Sequence, residues 1–522
     1  MLERVLINVA LFLFAIVYYK KVRHGMHMLQ LESYFNIRYF KWIKNNIKQV
    51  IRIKQLILLV IPIVLVFAKQ ELAGLVLELL AFAVIAFVTK KKQEKKPFVV
   101  TARVKRMFIT HFLLFAVIAV LVNIIYIPVA LIVINVVVFI SYFMVIAVNT
   151  INSPVENAIK HKFIKQAKHK LQEVPRLQVL GITGSYGKTS TKYAINTVLS
   201  QKYNTLMTPE SYNTTMGVVR TINEKLNPTH QLFICEMGAK NIGDIKEITD
   251  IVKPTFGLLT AIGPQHLDTF KTVENVAKTK LELVDSLPKN SGIAFINWED
   301  ENVRKAKIDK KTVKYGLSNE ADYWAENIEV NERGTSFDVV MPDNQKIHIK
   351  TKLLGKLNIL NIVAAVAVGD KLGLTKEEIQ AGCRFLKSVP HRLAMAQNPN
   401  GSIIIDDAYN SNTKGAEMAL EVLKSFKNKK RILITPGIVD LGSKTDEINS
   451  KLGEQAAESS DFVILVGAKQ AVPILKGLQN KHYPQSKTFI AQNLNEALRK
   501  MNEVMDSNSV ILLENDLPDN YL

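Results

Sequence analysis

Cysteine occurs only twice in 522 residues, at Cys235 and Cys383. Two thiols so far apart exclude a disulfide framework and a cysteine-based metal centre, and they suit a reducing compartment. Acidic residues are scarce at one end of the chain. Residues 1–176 hold 7 of them against 25 Lys and Arg, whereas the remainder holds 40 against 42. The formal net charge of +20 therefore resides almost wholly in the first third, and it is poor support for nucleic-acid binding. Also missing are an LSGGQ-like stretch and an apolar strand ending in Asp–Glu. That absence removes a transport ATPase from the readings open to a membrane segment joined to a nucleotide site.

What the first third has instead is long apolar runs. Five stand out: Val5–Tyr19, Gln55–Ala68, Leu72–Val88, Met107–Tyr126 and Ile127–Val148. A spanning helix needs about 20 apolar residues, and about 17 at the low end, so the second run is short. Lys20, Lys21 and Arg23 follow the first run, where a signal peptide would have a small-residue cleavage site. The connecting segments 20–54 and 90–106 carry nine and eight basic residues against one acid each, and 151–176 carries six basic residues. Because positive loops stay cytoplasmic, five spans place the N-terminus outside and the rest of the chain inside. Glu78 falls within a run, where an acid is either functional or reaches for the interface. The mixture of aromatic and basic residues over Tyr34–Lys54 suits the anionic inner leaflet.

From residue 177 the pattern changes to short apolar strands alternating with helical stretches, which predicts a parallel α/β sheet. The segment GITGSYGKTSTK (181–192) follows the strand Leu177–Leu180 and opens a helix over 188–201. Such a turn aims backbone N–H groups into one concavity. Gly184 and Gly187 need no Cβ there, Ser185 lies between them, and Lys188 adds a mobile positive charge. Thr189 or Ser190 can then hold magnesium on the phosphates of ATP. The strict phosphate-loop pattern is not met, because Ile182 occupies the place of its first glycine. Downstream, Glu236 follows one predicted strand (Gln231–Cys235) and His266 another (Phe256–Ala261). Strand ends are where such sheets bind ligands, and a carboxylate and an imidazole suit magnesium.

The order GITGSYGKTS, YNTTMG (212–217), CEMG (235–238), AIGPQHLD (261–268) and VAKTKLEL (276–283) resembles the Mur ligases. NWEDENV (297–303), GKLNILN (355–361), PHR (390–392) and IDDAYNSN (405–412) continue the resemblance, which is greatest to the D-alanyl-D-alanine-adding branch. The apolar runs and basic segments predict an α-helical membrane domain at 1–150 with about five spans and a basic amphipathic linker at 151–176. The resemblance implies that a P-loop ATP-binding domain with a parallel sheet follows at 177–392, and a smaller Rossmann-like domain at 393–522. The resemblance also implies roles. Lys188 and Arg392 would meet the phosphates, Asn361 the adenine and Asp407 the ribose. Thr189 and Glu236 would bind one magnesium and His266 a second, with Lys280 bridging if carbamylated. Asn213, Thr214, Thr215, Tyr409 and Asn410 would face the substrates.

The activity so implied is ATP-dependent amide formation through an acyl phosphate. Its partners would be a peptide-bearing cell-envelope precursor, UDP- or lipid-linked, an amine donor and the lipid bilayer, without nucleic acid. The implied location is the cell membrane, multi-pass, with the ligase domains in the cytoplasm. Two departures bear on the substrates: the membrane segment stands where the family has a UDP-binding domain, and the chain ends in LLENDLPDNYL. GIVDLG (437–442) also differs from the branch's usual form. A polymer ligase of the poly-γ-glutamate type and a catalytically silent scaffold are the competing readings.

Overall fold

The computed structural model describes residues 2–88, 97–331, 334–408, 413–439, 441 and 444–515. The chain divides into two compact units, one up to His161 and one from Lys162 onward. In the first, apolar sequence makes seven helices: α1 (Leu2–Leu31), α2 (Asn36–Asn45), α3 (Ile47–Val50), α4 (Ile53–Phe67), α5 (Glu71–Val88), α6 (Ala102–Ile124) and α7 (Ile127–Gln172). Ile7, Phe14, Phe82, Met107 and Val138 are among the buried residues of their common core. Outward faces are apolar too: Phe12, Phe87, Phe112 and Ile124 are each at least 66% exposed. A helix apolar all round has no water-facing side.

Among the described residues, three helices are long and apolar enough to cross a bilayer by length and composition: α1, α6 and α7. The second and third runs fold as the shorter α4 and α5, which pack against each other. At 15 residues, α4 is about 22 Å long, short of the roughly 30 Å hydrocarbon layer. Glu78 does not reach for an interface. It is fully buried, and its Oε1 accepts a 2.7 Å bond from Asn135 Nδ2 on α7. Residues 151–172 are helical and continue α7.

The second unit opens with the last turns of α7, where Ala167 joins a core with Val218 and Ile222. Nine strands make its larger sheet: β1 (Gln178–Thr183), β2 (Thr205–Met207), β3 (Leu232–Glu236), β4 (Phe256–Leu259), β5 (Ile293–Asn297), β6 (Lys311–Gly316), β7 (Tyr323–Asn331), β8 (Gly334–Val340) and β9 (Lys346–Thr351). Their order is β2-β3-β1-β4-β5-β6-β7-β8-β9. Pairing is parallel from β2 to β7, and β8 and β9 add antiparallel strands that the parallel expectation omitted. The sequence of β9 alternates exposed and buried residues, the period of a sheet with one wet face. Gln380 Nε2 donates to the His348 carbonyl of this edge strand (3.1 Å).

Helices α8 (Lys188–Leu199), α9 (Thr215–Lys225), α10 (Asp244–Val252), α11 (Leu267–Phe270), α12 (Val273–Asp285) and α13 (Glu301–Arg304) lie in the connections, followed by α14 (Lys356–Lys371) and α15 (Lys376–Arg384). A six-stranded sheet comes next: β10 (Ala394–Gln397), β11 (Ile403–Asp407), β12 (Lys430–Thr435), β13 (Phe462–Val466), β14 (Thr488–Ala491) and β15 (Ser509–Glu514), in the order β10-β11-β15-β12-β13-β14. All of its pairs but β10–β11 are parallel.

Close packing of α12 on the larger sheet depends on two glycines in register, Gly181 on β1 and Gly257 on β4. A Cβ on Gly181 would stand 2.6 Å from Leu283 Cδ1 and 2.9 Å from the Met237 methyl; one on Gly257 would stand 3.3 Å from Leu283 Cγ. We expect Gly181→Ala to lower stability by about 1–3 kcal/mol through overpacking. Thermal unfolding of the solubilised full chain checks this; an unchanged midpoint would show that α12 yields freely.

Candidate active site

Strand β1 ends at Thr183 and α8 begins at Lys188, so 184–187 form a tight loop at the C-terminal edge of the parallel strands. Gly184 (φ +146°) and Gly187 (φ +80°) hold conformations that side chains disfavour. A Cβ on Gly184 would lie 2.0 Å from Thr260 Oγ1 and 2.8 Å from the Ala261 amide nitrogen. The loop is fastened to 260–263: Ser185 N donates to Ala261 O (2.8 Å) and Gly263 N to Ser185 Oγ (3.0 Å). Lys188 Nζ turns back and donates to the Gly184 carbonyl at 2.6 Å. Burial pushes this ammonium down to about 8; Arg392 acts in the same direction and Glu236 opposes it.

Glu236, the last residue of β3, is fully buried and has three donors. Thr189 Oγ1 (3.1 Å) and Asn213 Nδ2 (2.9 Å) meet its Oε1, and Lys192 Nζ meets Oε2 at 3.0 Å. Its amide donates to Thr208 Oγ1 (3.1 Å). Lys192 is itself fully buried and also donates to the Glu210 carbonyl. Lys192 is the functional candidate that motif reading omitted, although its place four residues after Lys188 puts it on the same helix face.

Lys280, on α12, is 1% exposed. Burial, then Lys188, pushes its ammonium well below the ordinary lysine value, against weaker opposition from Asp244, Glu282 and Glu236. Those two flanking carboxylates are engaged elsewhere: Asp244 accepts from the amides of Lys240 and Asn241, and Glu282 from those of Gly243 and Lys246. Lys188, Lys192 and Lys280 thus act electrostatically around one buried carboxylate, Glu236, and Arg392 adds its charge near Lys188. A polyanion is the complement of that excess.

The other expected residues distribute as follows. Ser190 is half-buried in the first turn of α8. Thr214 caps α9, accepting from Gly217 N (3.3 Å), and Thr215 Oγ1 donates to Glu247. Asn361 is buried on α14, and its Oδ1 accepts a 2.7 Å bond from Thr191 on α8. His266 takes a left-handed backbone (φ +49°) at the start of α11. Among the described residues, no three His, Cys, Asp or Glu side chains converge as a metal site. Thr189 and Glu236 are the pair of hard oxygen donors the structure does bring together. Asp407 accepts from Leu393 N (3.1 Å); burial pushes its carboxyl up and Arg392 opposes that. Tyr409 and Asn410 lie outside the described residues.

The sequence matches the family described as "Mur ligase middle domain" over residues 182–369, and "Mur ligase, glutamate ligase domain" over 391–514. The chain belongs to the Mur ligase family. It is 31% identical over 327 residues to the UDP-N-acetylmuramoyl-tripeptide–D-alanyl-D-alanine ligase of Escherichia coli K12, covering 62% of this chain and 71% of that one. To the enzyme of the same name from Bacillus subtilis it is 26% identical, covering 67% and 75%. MurF from Acinetobacter baumannii superposes with a TM-score of 0.61 at 26% identity, covering 68% of this chain and 77% of that one. The MurF ligase from Thermotoga maritima in complex with ADP shares the fold (TM-score 0.61, 24% identity, covering 68% and 80%). This Mur ligase is MurF-like, and like its family it is an ATP-dependent enzyme that forms C–N bonds.

Because Lys192 and Glu236 are both withdrawn from water, removing one partner strands the other's charge. We expect Lys192→Met to cost about 3–5 kcal/mol, and Lys192→Met with Glu236→Leu to recover most of that loss. Equal denaturation midpoints for the single and double variants would rule out this coupling.

Proposed function

We propose that this Mur ligase is anchored in the cell membrane by the helices of residues 1–150. Its P-loop domain (177–392) and Rossmann-like domain (393–522) would lie in the cytoplasm and extend the peptide of a cell-wall precursor. The observation that carries the ligase assignment is the buried Glu236 with Thr189, Asn213 and Lys192, beside the glycine loop and Lys280. Anchoring is supported by the three long apolar helices and their exposed apolar faces. Since those helices stand where relatives have other sequence, a lipid-linked carboxyl substrate fits better than a diffusing UDP-linked one. The GIVDLG segment departs from the branch's usual form. The reading therefore extends to an amine donor without specifying D-alanyl-D-alanine, the donor named for the relatives.

In the reaction we infer, a substrate carboxylate oxygen attacks the γ-phosphorus of ATP, and the bond to the ADP oxygen breaks. The nitrogen of an amine donor then attacks the acyl carbon, phosphate leaves with the C–O bond electrons, and the amine loses a proton. The amides of Tyr186 and Gly187, Lys188 and Arg392 would hold and neutralise the phosphates, so the protein contributes position and charge. Thr189 and Glu236 would hold a magnesium ion, with His266 and Lys280 as further candidates; when bound, it draws charge off the phosphate oxygens. The neutral amine that burial favours at Lys280 is the form able to add carbon dioxide and become a carbamate. Asn361 would meet the adenine, Asp407 the ribose, and Asn213, Thr214, Thr215, Tyr409 and Asn410 the substrates.

The decisive assay is phosphate release by the full chain in detergent with ATP and magnesium. Acceptors would be UDP-linked or lipid-linked muropeptides, each with D-alanyl-D-alanine, single amino acids or ammonia. Turnover that requires both a muropeptide and an amine, and vanishes in Lys188→Ala, is expected; none with any pair would overturn the ligase reading. A second expectation concerns pH. Lys188 in the ligand-free protein loses its charge near pH 8, well below an ordinary lysine, while bound phosphates favour the charged form. ATP affinity should therefore weaken as pH rises through about 8, with proton uptake on binding above that point. Lys188→Met should bind about 10- to 100-fold more weakly and lose that step. An identical pH profile in Lys188→Met would assign the step to another group.

A further inference from the structure

Thr189 and Lys192 stand three residues apart on α8, so their side chains leave the helix on one face. They divide a single carboxylate between them. Thr189 Oγ1 donates to Glu236 Oε1 (3.1 Å), and Lys192 Nζ donates to Oε2 (3.0 Å). The side chains of Lys192 and Glu236 are wholly withdrawn from water. Lys192 makes a second hydrogen bond, to the carbonyl of Glu210. Glu210 holds a left-handed backbone (φ +41°) in the turn that leads to Asn213, whose Nδ2 is the other donor to Oε1 (2.9 Å). One ammonium therefore joins the end of β3, α8 and the 208–213 segment.

The three donors are not equivalent toward a metal ion. A hydroxyl can turn its hydrogen aside and offer a lone pair, so Thr189 can pass from donor to ligand. The Asn213 amide can swing away from Oε1. An ammonium has three donors and no lone pair, so Lys192 can only go on holding Oε2. The last torsion of a glutamate is soft, and without a fixed partner the plane of its carboxylate turns. With Oε2 pinned, Oε1 is the oxygen left to face a cation, and it lies beside the Thr189 hydroxyl. On the reading that Thr189 and Glu236 hold magnesium, we propose that Lys192 is a positioning residue that presents Glu236 Oε1, together with Thr189 Oγ1, to the metal. The charge of Lys192 alone would repel the ion, so the sign of its effect separates orientation from simple electrostatics.

The test is manganese binding to the full chain in detergent with ADP, the free ion being read by electron paramagnetic resonance. Wild type is expected to bind manganese, and Lys192→Met to weaken each site about 10- to 100-fold, the usual effect of removing a partner that orients a metal ligand. Partial unfolding lowers the number of sites but leaves the affinity of the remainder unchanged, so a lysine that merely supports the fold would not move this constant. Should Lys192→Met fail to fold, Lys192→Gln keeps a donor for Glu236 without the charge, and its affinity should shift in the same direction. Unchanged or tighter manganese binding in a folded variant would overturn the proposal. So would an equal loss of ADP affinity with a chelator present, which would put Lys192 on the phosphates instead. A wild-type chain that binds no manganese overturns the magnesium reading itself, whereas variants that match a binding wild type overturn only the role of Lys192.

Discussion

The buried carboxylate of Glu236 is the group on which the ligase unit depends. It sits at the end of β3 and gathers donors from α8 through Thr189 and Lys192, and from the 208–213 segment through Thr208 and Asn213. A charge with no access to water must be matched by donors or neutralised, so these contacts are obligatory. One side chain therefore fixes the distance between the end of β3, the first turns of α8 and the 208–213 segment. The glycine loop is itself fastened by 260–263, so its concavity keeps its shape in the absence of a nucleotide.

The electrostatic balance around that carboxylate is uneven. Lys188, Lys192, Lys280 and Arg392 act in one neighbourhood, and both Lys188 and Lys280 are pushed down from the usual lysine range. The ligand-free fold bears this self-repulsion, which a polyphosphate relieves. A ligand that binds only the folded state stabilises it through mass action, and more so where it removes an unfavourable term already present. The interplay of Lys188 and Lys280 also means that neutralising one eases the charging of the other.

Much of this was legible because it is local in sequence. The glycine loop, the helix after it and the strands before Glu236 and Asp407 are encoded in runs of about a dozen residues, and they stand where the pattern placed them. What escaped depends on distant partners. Lys192 carries no signal of its own in the motif; its partner Glu236 lies 44 residues away. Asn361 reads as a ligand-facing amide, yet its carbonyl holds α14 to α8 through Thr191. Hydropathy marked five runs, the second of them short, but it could not show that the chain reverses at Lys69 and Gln70 and packs the second and third against each other as α4 and α5. The strands β8 and β9 escaped because the parallel pattern was extended across them.

The far edge of the larger sheet bears on how many copies can share one surface. An open strand edge presents carbonyl and amide groups that another chain can pair with, and confinement to a plane multiplies such encounters. On β9 the outward positions are Lys346, His348 and Lys350, and the carbonyl of His348 is already taken by Gln380 from α15. A second sheet approaching this edge would meet the Lys350 ammonium, an occupied acceptor, and Lys346 and His348 already turned to Glu326 and Asp338. On the anchoring proposed above, crowding in a plane would raise the local amount of this enzyme without fusing its sheets through this edge.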